Sequence, residues 1–124
     1  MSNYVKIGAV AAFLSVAIGA FGAHGLEGRI SADDLEVYHT GVLYQMFHSL
    51  GILLIAALSD KLHSRRLTQW ACRLLLIGIV LFSGSLYVLA ISGVKVLGAI
   101  TPLGGIAFLA GWICLALAAR KPNT

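Results

Sequence analysis

Hydrophobic positions along the chain fall into four long runs without a charged residue. They cover 17 residues between Lys6 and His24, 23 between Glu36 and Asp60, 21 between Arg73 and Lys95, and 24 between Lys95 and Arg120. A bilayer core of about 30 Å is crossed by roughly 20 helical residues, so each run is long enough to span it. The runs predict an all-α membrane protein: four transmembrane helices at about 4–23, 32–58, 68–92 and 102–119, in an antiparallel bundle that makes residues 1–124 one domain. The first run reads as a retained helix rather than a cleaved leader, because it is long, only Lys6 precedes it and three further spans follow.

Finer patterning orients the helices. Ala11, Ser15, Gly19 and Ala23 recur every four residues on helix one, and Gly104, Ala107, Gly111, Cys114 and Ala118 form a similar stripe on helix four. Small residues on one face let neighbouring backbones approach and gain dispersion contacts where lipid removes the hydrophobic drive. Gly22, Gly25 and Gly28 around His24 are expected to end helix one, and Ser31 with Asp34 three residues on places the start of helix two near Ala32. On helix two, Tyr38, Gly41, Gln45, His48 and Ile52 step by three and four and share a face, which should point into the bundle because polar groups facing lipid are costly. Helix four starts either near Pro102 with Thr101 as its cap, or near Val96 with a kink at the proline.

Composition agrees with the pattern: 59% of residues are hydrophobic and 11% charged, and the mean hydropathy is +0.91. A net charge of +4 does not indicate nucleic acid here, because the basic residues sit in the connections between apolar runs. Seven of them, Lys6, Lys61, Arg65, Arg66, Arg73, Arg120 and Lys121, belong to one side and only Arg29 and Lys95 to the other. The positive-inside rule therefore places both termini in the cytoplasm and the chain in the cytoplasmic membrane as a multi-pass protein. Cys72 and Cys114 form no C-x-x-C pair and read as buried, inert thiols.

Five blocks in order carry a resemblance: G-A-F-G-A-H-G-L at Gly19 to Leu26, Y-Q-M-F-H at Tyr44 to His48, F-S-G-S-L-Y at Phe82 to Tyr87, T-P-L-G-G at Thr101 to Gly105, and G-W at Gly111 and Trp112. Together they make the chain resemble the YgdD and YwdK family of small bacterial inner-membrane proteins, which also has eukaryotic relatives. That resemblance implies a four-helix integral membrane protein. Since the family has no established biochemical activity, it carries no catalytic residue over.

Two constellations remain as candidate sites. Counting from the span ends puts Ser15, His48, Ser83 with Ser85, and Gly111 near one depth; with Gln45 beside His48 the polar residues Ser15, Gln45, His48, Ser83 and Ser85 make a layer that reads either as interhelical hydrogen bonding or as a site for a small solute or ion. At the outer boundary, His24, His39 and Glu36 stand near Glu27, Asp33 and Asp34. Their spacing matches no metal motif, so hydrogen bonding at helix ends is the preferred reading and no metal or other cofactor is expected. Haem would need two histidines at similar depth on facing helices; His24 and His39 are the pair that could supply them, whereas His48 has no such partner in its own chain. Ser83 and Ser85 lack a readable His-plus-acid arrangement, so an enzyme is not expected. The sequence thus points to a structural or interaction protein whose partners are the bilayer and either a second copy or another membrane protein. The alternative is a small-solute or ion carrier or channel built on Gln45 and His48.

Overall fold

The structure, a computed structural model, describes residues 1–122. Four helices dominate it: α1 (Ser2–Leu26), α2 (Ala32–Lys61), α3 (Arg65–Ser92) and α4 (Lys95–Ala118). Each is long and apolar enough to cross a membrane, and the described residues contain no β-strand.

The glycines expected to end α1 do not end it. The helix continues through Gly22 and Gly25 as a π-helical turn to Leu26, and the chain reverses at Gly28, whose φ of 82° lies in the left-handed region open to glycine. A Cβ at Gly22 would fall on the Tyr38 ring, so the residue that looks like a helix breaker is instead a seat for an aromatic neighbour. The buried face follows the helical period rather than a strict spacing of four, each step of which advances about 40° around the helix. Gly8, Ala11, Ser15 and Gly22 are buried, whereas Ala23, placed on the stripe by its spacing, is exposed.

Ser31 caps α2, its side chain accepting from the backbone N–H of Asp34 at 3.0 Å. Ser64 does the same for α3 through Leu67, and α3 therefore begins at Arg65, three residues before the apolar pattern suggested. A second π-turn interrupts α3 at Ile79–Ser83. Both readings of the last helix capture part of it: Lys95–Ala99 is a 3₁₀ turn, and the α-helical run is Thr101–Ala118, with Ile100 rather than Thr101 at the cap.

Neighbouring helices are antiparallel, as their close approaches show. Gly8 faces Leu53 and Gly22 faces Tyr38 across α1 and α2; Gly41 faces Tyr87 and Gly51 faces Leu75 across α2 and α3; Gly104 faces Phe82 and Gly111 faces Leu75 across α3 and α4. Rising numbers on one helix meet falling numbers on the next. The second small-residue stripe performs this packing, with Gly104, Ala107, Gly111 and Ala118 buried and Cys114 half-buried.

The bundle is inside out by the standards of a protein in water. Phe13 is 71% exposed, Leu109 66% and Val80 63%, while Ser15, Gln45, His48, Ser49, Thr68, Ser83 and Ser85 are buried. Apolar surface of that extent suits lipid contact, and polar groups inside need partners from within. At the end rich in Lys and Arg, the Ala118 carbonyl accepts from the His63 N–H at 2.7 Å and ties the α2–α3 connection to the end of α4.

Candidate functional site

The face predicted on α2 is buried along its length: Tyr38, Gly41, Gln45, His48 and Ile52 all lie inside. Its polar members, however, reach different neighbours. Gln45 bridges two helices, its Nε2 donating to the Ala11 carbonyl on α1 at 2.9 Å and its Oε1 accepting from the Tyr87 hydroxyl on α3 at 2.6 Å. Ala11 and Ser15 leave room for the amide to approach, and a helical carbonyl has a second lone pair to offer. Nearby, the Tyr38 hydroxyl donates to the Ile18 carbonyl at 2.5 Å, and Ser83 Oγ donates to the Gly41 carbonyl at 2.7 Å.

His48 faces α4. Its Nδ1 lies 2.8 Å from the Tyr44 carbonyl, and its Nε2 accepts from the Trp112 indole N–H at 3.1 Å. A carbonyl only accepts and an indole only donates, so these partners assign the neutral tautomer with the proton on Nδ1. The imidazole is stacked on Phe108, with ring centroids 3.6 Å apart and planes 13° apart. Phe47 stands edge-on to it, and Tyr44 and Phe82 continue the aromatic cluster. Phe108 reaches this position because Gly78 on α3 has no Cβ to obstruct its ring.

The five residues placed in one layer are therefore not one cluster. Ser15 bonds back to the Ala12 carbonyl at 2.6 Å. Ser85 pairs with Thr101 Oγ1 at 2.6 Å, at the opposite end of α4 from Trp112. Eleven residues separate Thr101 from Trp112, about 16 Å of helix rise, so Ser85 and His48 are joined to different levels of α4. Counting from helix ends missed this because Ser85 lies five residues beyond the midpoint of the 68–92 span, about 7.5 Å of rise, which brings it level with Thr101 at the start of the last helical run. Tyr87, Trp112 and Phe108 are the partners that spacing analysis left out. Phe108 and Trp112 sit four apart on α4, a spacing that places two aromatics on one face.

At the other boundary, His24, His39 and Glu36 are all exposed. His39 lies edge-on to Tyr38, and the Glu36 backbone carbonyl accepts from Thr40. Among the described residues no group of three His, Cys, Asp or Glu side chains is placed to hold a metal ion. Cys72 is a buried free thiol and Cys114 a half-buried one.

Chemically, the interior is a set of closed hydrogen bonds. Both functional ends of Gln45 and both nitrogens of His48 are occupied, and among the described residues no buried side-chain nitrogen or oxygen lacks a partner. Such an arrangement holds helices in register and leaves His48 no free lone pair for a metal or substrate.

Comparison with known proteins agrees with this architecture. The family described as Protein of unknown function (DUF423) matches residues 18–105. The chain is 51% identical to UPF0382 membrane protein YwdK of Bacillus subtilis over 121 residues, covering 98% of each chain. It is 45% identical to UPF0382 membrane protein SH2409 of Staphylococcus haemolyticus and 46% identical to SERP0230 of Staphylococcus epidermidis, again over 98% of each chain. No solved structure matches. With its four membrane-spanning helices and this likeness along nearly its whole length, the chain belongs to the DUF423 family of UPF0382 membrane proteins.

Proposed function

We propose that this protein has a structural or interaction role in the cytoplasmic membrane, with both termini on the cytoplasmic side. The observation that supports this reading is the complete internal pairing of buried polar side chains among the described residues. A carrier needs groups that bind and release cargo, and Gln45 and His48 are instead each closed on two protein partners. The orientation rests on seven Lys and Arg residues at one end against two at the other.

Two experiments test this. Purified protein reconstituted in liposomes is expected to let an imposed pH gradient and membrane potential decay at the rate of protein-free vesicles. Faster decay that Gln45→Leu or His48→Phe abolishes would establish the carrier or channel reading instead. A reporter active only in the cytoplasm, fused after Thr124, is expected to be active, and activity only from a periplasm-dependent reporter would reverse the orientation.

A further inference from the structure

Two of the apolar grooves on the lipid-facing surface differ at their ends. One lies between α2 and α4, where Tyr44, Phe82, Phe108 and Leu109 line it and no cation takes part. The other lies between α1 and α3. Ile7, Val10 and Leu14 form one wall, Leu76, Ile79 and Val80 the other, and Ala11 with Gln45 the floor. Lys6 stands at its end.

That end is built from more than one cation. Arg73, one turn before Leu76 on α3, donates from Nε to the Tyr4 hydroxyl on α1 at 3.2 Å, and its guanidinium lies 5.2 Å from the centre of the Trp70 ring. The Tyr4–Arg73 bond fastens the two walls together just beyond Lys6. Both cations are exposed, and four of the five carboxylates, Glu27, Asp33, Asp34 and Glu36, stand at the opposite end of the bundle. Trp and Tyr beside Lys and Arg mark the headgroup level of a membrane.

Dimensions fit a chain within one leaflet. From Ile7 to Leu14 the helix rises about 10 Å, less than half of a hydrocarbon core about 30 Å thick. The walls are open to the bilayer, with Val10 58% and Val80 63% exposed. An apolar trough of that length, capped by two cations and a hydroxyl, has the shape and charge of one lipid's complement.

We propose that the α1–α3 groove is a binding site for a single anionic phospholipid, an acyl chain lying between Val10 and Val80 and the phosphate held by Lys6 and Arg73 beside Tyr4. The inference goes beyond a structural role, because it assigns the protein a preferred lipid partner.

Native mass spectrometry of the full chain, exchanged from vesicles holding equal amounts of phosphatidylglycerol and phosphatidylcholine, tests it. The wild-type chain is expected to retain one phosphatidylglycerol, with a preference over phosphatidylcholine of roughly tenfold. Lys6→Gln should weaken that preference, and Lys6→Gln with Arg73→Gln should abolish it. Val10→Trp, a change on the lipid-facing wall, should remove the bound lipid of either kind while leaving the thermal transition in place. Equal retention of the two lipids by the wild type, no retained lipid, or a lipid-free dimer occupying the face would overturn the proposal. So would a wild-type preference that survives in the double variant.

Discussion

Gln45 and His48 lie three residues apart on the same face of α2, at nearly the same depth, yet they are accommodated by opposite means. Gln45 sits where small residues bring backbones close, and it bonds directly to the α1 main chain and to Tyr87 of α3. His48 sits where α2 and α4 stand further apart, and rings fill the space: Phe108 stacks on it and Trp112 donates to it. The difference shows two ways of burying a polar group at membrane depth. One uses a bridging amide between tightly packed helices, and the other an imidazole that is mostly an aromatic packing surface with a single cross-helix bond.

The most disruptive test removes the close approach that supports the aromatic side. A Cβ at Gly104 would fall on the Phe82 backbone, 2.7 Å from its Cα, where no side chain can swing away. Gly104→Val is therefore expected to separate α3 from α4 and cost about 3 kcal/mol, at the upper end for overpacking, measured by thermal unfolding in detergent. Stability equal to wild type would show that the seam yields easily.

Gln45→Leu conserves volume but leaves the Tyr87 hydroxyl and the Ala11 carbonyl without their partner. Two interhelical bonds predict a loss of about 1–2 kcal/mol. His48→Phe keeps the ring on Phe108 and deletes one cross-helix bond, the acceptor for Trp112, together with the intrahelical donor to the Tyr44 carbonyl, so its expected cost is smaller, about 0.6 kcal/mol for the single interhelical bond. Denaturant titrations of the two variants side by side sharpen the contrast. If His48→Phe is the more damaging, the hydrogen bond outweighs the stack and the two sites work alike.

Much of the architecture was legible from local signals. Four apolar runs announced four spans, Ser31 announced the start of α2, and the period of Tyr38, Gly41, Gln45, His48 and Ile52 announced a buried face. The glycines after Phe21 were misleading, because their use is steric room for Tyr38, a property of two helices together. Ser85 likewise looked level with His48 until Thr101, at the far end of α4, proved to be its partner.

Length, apolarity and period act within one helix, and they by themselves determined that this chain forms four membrane-spanning helices and which face of α2 turns inward. Which neighbour each buried polar group meets depends on the rotation and depth of two helices at once. Two π-turns and a 3₁₀ lead-in shift those quantities by a fraction of a turn, and only the packed bundle decides them. Hence the α1–α3 groove, with Lys6 and Arg73 drawn to one end from positions 67 residues apart, exists only in the tertiary structure.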